Sequence, residues 1–421
     1  MKNWMSEGES SLVTEVFRER SFIDDLVGDF ATGHVRYSTE GGSSEENAQP
    51  LKSTNQGIEY IVSHNGNITN YKELRNNLES KGAIFRTSTD TEVILHLIAH
   101  SQKQDIQDKV LDALRQIEGA YSVVITAVDH NHKQRMMFVG RDPHGFRPLC
   151  IGVLEGKRVF ASESYALHLM GAKYDREVNP GELISINQNG HMCDDIEIDF
   201  KGIISPCIFE KIYFARPDSV LFGENNDVAY FRRAIGRQLA EESPVEADIV
   251  IDVPDSGRFA ALGYAEKSGI PYNQGLVRSH YAGRTFIEPS QIMRHDGVKI
   301  KLSAVRSVLN GKRVIVVDDS IVRSTTTSLL RDIIIEDGGA KEVHFRISSP
   351  SVIHPCYYGM DFPTGTELIA SSCGNVNMIN RNIRSDSLAY LSLDRLRHCY
   401  EPDVRYCEAC FSGQYPAPTP K

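Results

Sequence analysis

Two adjacent carboxylates draw attention by their setting. Asp318 and Asp319 follow the apolar run Val314–Val317 and precede a hydroxyl-rich stretch, Ser320 and Ser324 to Thr327. Acids at the end of a buried strand can accept from sugar hydroxyls or hold a hydrated Mg²⁺, while N–H groups and hydroxyls opening the next helix can hold a phosphate. A ligand with both a diol and a phosphate suits the pair. In the bland alternative Ser324 or Thr325 merely caps the helix and the acids face water, a poor use of two charges directly after a core strand. A second strand end supplies Val253, Pro254, Asp255, Ser256 and Gly257. Between Arg278 and Arg313 eight Lys or Arg stand against two acids, Glu288 and Asp296, so positive charge is concentrated beside the phosphate loop. His280 to Gln291 contains Gly283 and Pro289 and lacks periodicity. It reads as a mobile loop able to close over a polyanion, or as plain solvated surface.

Eight cysteines are scattered through the chain, and only Cys407 and Cys410 form a C-x-x-C. In a reducing compartment that spacing is more often a metal or cluster clip than a disulfide, with two incidental cysteines as the alternative.

These residues need a frame to position them. The 421 residues suggest two or three domains, and 41% hydrophobic and 24% charged residues are ordinary for a globular chain. No apolar run approaches the roughly 20 residues that span a bilayer, and no signal-peptide pattern opens the chain. The cytoplasm is the expected location. A net charge of −10 argues against a nucleic-acid or anionic-membrane binder. Residues 1 to about 200 read as short strands, at Ile58–Val62, Tyr121–Ala127, Arg135–Val139, Arg158–Ala161 and Leu183–Ile186, with helices at Tyr71–Lys81 and Asp90–His100. From about Cys207 strands and helices alternate: strand Ala247–Val253, helix Arg258–Ser268, strand Arg313–Val317, helix Thr325–Glu336, strand Glu342–Ile347. Near-continuous apolar strands between helices imply a parallel sheet covered on both faces, with ligands at its carboxyl edge.

The run VIVVDDSIVRSTTT (314–327), with VPDSGRFAALGYA (253–265), YAGRTFIEPSQ (281–291) and EVHFRISSPSVIHPCYYG (342–359), resembles the phosphoribosyltransferase half of the glutamine phosphoribosylpyrophosphate amidotransferases. GHVRYST (33–39), SHNGNITN (63–70), STDTEVILHLI (88–98), RDPHGFRPL (141–149) and NPGELISI (179–186) resemble their glutaminase half, so the likeness covers nearly the whole chain. It implies an α+β N-terminal nucleophile hydrolase-like domain, N-terminally truncated, over residues 1–202, then an α/β type I phosphoribosyltransferase domain over 203–421. The implied activity is transfer of ammonia from glutamine to phosphoribosyl pyrophosphate, giving phosphoribosylamine for purine synthesis. By resemblance Asp318, Asp319, Ser320, Arg323, Ser324, Thr325, Thr326, Arg278 and Arg284 bind phosphoribosyl pyrophosphate, and Ser256, Asp318 and Asp319 hold Mg²⁺. Arg36 and Asp90 grip glutamine, while Asn65 and Gly66 form the oxyanion hole, although Asn-Gly taken alone reads as a hairpin turn. Cys207, Cys356, Cys407 and Cys410 match a [4Fe–4S] ligand set, for which Zn²⁺ is the alternative. Cys150, Cys193, Cys373 and Cys399 are expected spectators. A homo-oligomer inhibited by purine nucleotides is implied as well.

The chain departs from the family pattern at three places. The family's glutaminase nucleophile is the thiol of the first residue of the mature chain, whereas the first cysteine here is Cys150. The expectation is an inactive glutaminase half, through a misassigned gene start or real loss, and hence an ammonia-dependent transferase. A silent paralogue that binds nucleotides and regulates an active homologue is the alternative. Ser324 replaces a loop glycine, where a Cβ would disfavour positive φ. Arg278-Ser279-His280 replaces Lys-Asn-Arg, and the histidine gives up a permanent cation.

Overall fold

A computed structural model describes residues 28, 30–35, 45–198, 202–223, 226–278, 302–362 and 368–420. Arg36, Arg284, His280 and the rest of the expected mobile loop fall outside the described residues.

The first half is built on a six-stranded antiparallel sheet. Its strands are β1 (Leu51–Asn55), β2 (Ile58–Ile68), β3 (Gly119–Asp129), β4 (Gln134–Arg141), β8 (Glu182–Asn187) and β9 (Met192–Glu197), in the order β1-β2-β3-β4-β8-β9. A smaller antiparallel sheet, ordered β6-β5-β7, is formed by β5 (Cys150–Leu154), β6 (Lys157–Ala161) and β7 (Lys173–Glu177). Helices α1 (Tyr71–Ser80), α2 (Glu92–His100) and α3 (Ile106–Leu114) cover one face of the large sheet. Val93, Ile94, Leu97, Ile98, Val110 and Leu114 pack there against Val62, Val123, Ile125 and Phe138. Asp105 caps α3 by accepting from the Gln107 N–H at 2.8 Å.

The second half holds four parallel strands in the order β10-β13-β14-β15: β10 (Ile249–Asp252), β13 (Arg313–Asp318), β14 (Glu342–Ile347) and β15 (Ser387–Tyr390). The alternation of side chains across a strand decides what each face meets. Val250, Ile315 and Val317 face Phe231, Ile235 and Leu239 of α4 (Val228–Glu242) and Tyr264 of α5 (Arg258–Ser268). Ile249, Ile251, Val314 and Val316 face Leu329 and Leu330 of α6 (Ser324–Asp332) with Ile379 and Ile383. Complete burial of such side chains contributes about 1.5–3 kcal/mol each, which is why these runs read as continuously apolar. A two-stranded ribbon, β11 (Leu276–Arg278) with β12 (Leu302–Ala304), lies apart from this sheet.

The structure revises the sequence expectations at two elements. The strand expected at Ile58–Val62 continues to Ile68, so Asn65 and Gly66 lie within β2 opposite Ser122 and Tyr121 of β3 rather than in a hairpin turn. The helix expected over Thr325–Glu336 begins at Ser324 and changes to a π turn at Ile333–Asp337. Ser324 is thus the first residue of a helix rather than part of the preceding loop.

Candidate active site and cysteine quartet

The carboxylates arise where two neighbouring strands end. β10 stops at Asp252, which lies opposite Val317, and β13 stops one residue later at Asp318. All three acids, Asp252, Asp318 and Asp319, are buried. The Asp319 N–H donates to Asp318 Oδ1 at 2.9 Å, and the Ser320 hydroxyl donates to Asp319 Oδ2 at 2.5 Å. Burial pushes the Asp318 carboxyl well above the usual range, reinforced by Asp319 and Asp252. Asp319 is pushed up by burial as well, against hydrogen bonds from Ser256 and Ser320 and the positive charge of Arg232. A buried acid pair of this kind is stabilised by a cation and by hydroxyl donors, the two things a metal-bound sugar phosphate brings.

The loop after β10 approaches the pair closely. A Cβ on Gly257 would lie 2.4 Å from the Val317 carbonyl oxygen, so only glycine lets this loop sit over the strand end. Asp255 accepts from Arg278 Nη1 at 2.9 Å and from Arg258 Nη2 at 3.3 Å, tying the base of β11 to the loop. On the other side α6 opens at Ser324, with Thr325 exposed, Thr326 half-buried and Thr327 buried. The N–H groups of its first turn have no partners within the helix, which opens six residues after β13 ends. Thus Ser256, Asp318, Asp319 and Ser320 come together, with Arg278 beside the loop.

In the first half Asp90 is buried and its Oδ2 accepts the Ile68 N–H at 2.8 Å. His64, which the sequence reading passed over, lies within hydrogen-bond distance of Thr91 Oγ1 at 3.1 Å and the Ala120 carbonyl at 3.2 Å, with Nδ1 3.8 Å from Asp90 Oδ2. Gly66 has φ +153°, and a Cβ there would fall 2.0 Å from the Ala120 oxygen. Glycine is therefore required at position 66 by torsion and by space together.

The four cysteines expected to form a set line one cavity with Phe146, Phe209, Tyr358 and Phe362. Cys207 and Cys407 lie on paired segments: the Ile208 N–H donates to the Cys407 oxygen at 3.2 Å and the Cys407 N–H to the Pro206 oxygen at 2.8 Å. Cys356 Sγ accepts the Tyr358 N–H at 3.3 Å. Burial raises all four thiols, and for Cys410 the other three sulfurs raise it further. All are free thiols. Among the described residues no three Cys, His, Asp or Glu are placed to hold one metal ion. The spectators are engaged elsewhere: Cys150 donates to the Ala161 oxygen at 3.2 Å and Cys399 to the Arg395 oxygen at 3.8 Å, while Cys373 accepts from Asn382 at 3.2 Å.

Comparison with known proteins adds an independent measure. A glutamine amidotransferase domain family matches residues 34–169. Amidophosphoribosyltransferase 1, chloroplastic, of Arabidopsis thaliana is 51% identical over 407 residues, covering 96% of this chain and 70% of that protein. The chain belongs to the amidophosphoribosyltransferase family. The Bacillus subtilis amidophosphoribosyltransferase is 46% identical over 412 residues, covering 96% of this chain and 84% of that protein. A solved structure of glutamine phosphoribosylpyrophosphate amidotransferase from B. subtilis, complexed with ADP and GMP, has 45% identity and a TM-score of 0.81, covering 91% of this chain and 82% of that one.

For an amidophosphoribosyltransferase, the features that sequence reasoning missed are those carried by single polar residues. His64 was visible only within SHNGNITN, and Asp252 only as the last letter of an apolar strand. Neither residue stands in a pattern of its own.

Proposed function

We propose that this chain forms 5-phosphoribosylamine from phosphoribosyl pyrophosphate, the first step of de novo purine synthesis. The supporting observation is the meeting of Asp318, Asp319 and Ser256 at the carboxyl edge of the parallel sheet, with α6 opening shortly after at Ser324. Asp318 and Asp319 accept from the ribose hydroxyls, and the N–H groups and hydroxyls from Ser320 to Thr327 hold the 5′-phosphate. On this reading Arg278 and Arg323 serve the remaining phosphates, as does Arg284, which lies outside the described residues. Mg²⁺ held by Ser256, Asp318 and Asp319 would neutralise the pyrophosphate as it departs. The bond from the anomeric carbon to pyrophosphate oxygen breaks with oxocarbenium character while the ammonia lone pair forms the new C–N bond. The side chains orient and neutralise; none needs to act as a nucleophile.

Arg36, Asp90, Asn65 and Gly66 hold glutamine in the other half. Cys150, the first cysteine of the chain, is buried under Leu167 and Ala172 with its thiol pushed far up, so it supplies no thiolate there. Transfer from ammonia is the activity this reading assigns to the 421 residues. The quartet Cys207, Cys356, Cys407 and Cys410 holds a [4Fe–4S] cluster, with Zn²⁺ as the less suitable occupant. Homo-oligomer formation and inhibition by purine nucleotides complete this reading. The silent-paralogue alternative gains nothing from a buried acid pair kept with its serine and threonine partners.

Pyrophosphate release from phosphoribosyl pyrophosphate tests the reading, with ammonium or glutamine as the nitrogen source. Mg²⁺-dependent release with ammonium and none with glutamine is expected. Steady release with glutamine would refute ammonia dependence, and no release with either would refute the transferase.

A further inference from the structure

The cysteine quartet lies against the first domain, and one short segment of the second domain makes the connection. From Cys356 to Met360 the chain carries a quartet sulfur at one end and contacts β2 at the other. Asn67 Nδ2 donates to the Tyr357 carbonyl at 2.9 Å, across 290 positions of sequence. Gly359 has φ +99°, and a Cβ there would lie 3.1 Å from both Cα and C of Gly66, so the two backbones touch with no side chain between them. The Tyr358 ring stacks on Phe146 at 4.2 Å and 10°. Phe146 in turn accepts the Cys207 N–H on its carbonyl at 3.1 Å. Tyr358 also donates its own N–H to Cys356 Sγ. Displacement of the Cys356 sulfur would therefore shift the Tyr357 carbonyl, which Asn67 holds, and Gly359, which abuts Gly66 of the assigned oxyanion hole.

We propose that Asn67 and Gly359 are positioning residues, which register the Gly66 backbone against the cysteine loop and so link order in the quartet to the glutamine site. This rests on the reading of Asn65 and Gly66 as the oxyanion hole. Gly66 packs closely against the Ala120 carbonyl and against Gly359. The linkage is reciprocal, because a free-energy coupling between two sites has one value in both directions.

Peptide-resolved hydrogen exchange on the full chain, purified without oxygen, tests the assignment in the wild type, Asn67→Ala and Cys356→Ser. Asn67→Ala should raise exchange about fivefold at residues 356–360 of the other domain, the low end of ordinary coupling. Cys356→Ser should raise it at residues 64–68. In both variants β10, β13 and β14 should be unchanged. Adding L-glutamine should slow exchange at 356–360 in the wild type but not in Asn67→Ala, a difference that a merely structural role would not produce. Changes confined to the substituted domain would overturn the proposal. So would a glutamine response that survives in Asn67→Ala, no glutamine response in the wild type, or loss of protection throughout both sheets. None of these readouts requires turnover, so failure of the transferase reading, seen as absent pyrophosphate release, is separable from failure here.

Discussion

At the residue scale the acids carry the argument, since each is buried for a different reason. Asp318 ends a core strand and is pushed up by burial beside Asp319 and Asp252, a cost that ligand or cation relieves. Asp318→Asn removes one charge and one symmetrical acceptor. It should lower phosphoribosyl pyrophosphate affinity by more than tenfold by calorimetry in the presence of Mg²⁺, while the far-ultraviolet circular dichroism stays unchanged. Asp142 is a contrasting case. Its carboxyl accepts the His144 N–H at 2.9 Å and those of Tyr121 and Phe146 at 3.2 Å each, yet burial still pushes it up to about 6 from 3.8. A carboxyl raised on folding takes up a proton between those values, so its contribution to stability is complete at low pH and is lost as the pH rises through about 6. Denaturant titrations between pH 4 and 6 should give a stability that falls with pH by up to about 1.4 kcal/mol per unit from this group. Asp142→Asn should be less stable throughout, because its amide confronts N–H donors, and should show a flatter slope. An unchanged slope would exclude Asp142 as the titrating group.

At the element scale the parallel sheet was legible because burial on both faces leaves a continuous apolar signature, as in Arg313–Val317 and Glu342–Ile347. β15, Ser387–Tyr390, was not, since its four residues are only half-buried and carry no alternation. Helix α4 was missed because polar residues such as Arg232 interrupt its apolar stripe. Arg232 is itself buried, its guanidinium donating to the Lys211 and Ala215 carbonyls at 2.8 Å. Asn65-Gly66 taken alone reads as a turn because local turn chemistry is shared with any strand that a carbonyl approaches closely, and only the partner strand reveals Ala120. The acid pair was readable from its position after β13, whereas the tie between Asp255 and Arg278 depends on tertiary contact. Two substitutions separate a required glycine from a dispensable one. Gly257→Ala must displace the loop from the Val317 carbonyl and should lower Mg²⁺-dependent phosphoribosyl pyrophosphate affinity by tenfold or more. Ser324→Gly, at a helical position, should change that affinity less than twofold; a large gain would mean that the bound loop abandons the helical start.

At the scale of the whole molecule, the C-terminal segment has little regular structure and is held by burial of Tyr406, Ala409 and Phe411 against the rest of the chain. Residues 400–420 contribute one short helix, Ala409–Ser412, and are fixed by cross-chain contacts: the Tyr415 hydroxyl donates to the Pro355 carbonyl at 2.7 Å, the Ala417 N–H to the Tyr358 hydroxyl at 3.2 Å, and the Cys407 N–H to the Pro206 carbonyl. Each of these contacts adjoins a residue of the quartet or its aromatic surround, so a shared cluster would hold together segments that lie far apart in sequence. Four raised thiols around one cavity are unfavourable neighbours when ionised unless a metal centre takes their charge. Protein purified without oxygen should therefore be brown and contain iron and sulfide. Cys407→Ser should bleach it and make the Arg405–Tyr406 bond cleavable by trypsin at a protease concentration that leaves the wild type intact. Cys399→Ser, altering a sulfur engaged with the Arg395 carbonyl, should do neither. Equal bleaching in both variants would remove the quartet as the ligand set, and a colourless wild type loaded with zinc would replace the cluster with a single ion.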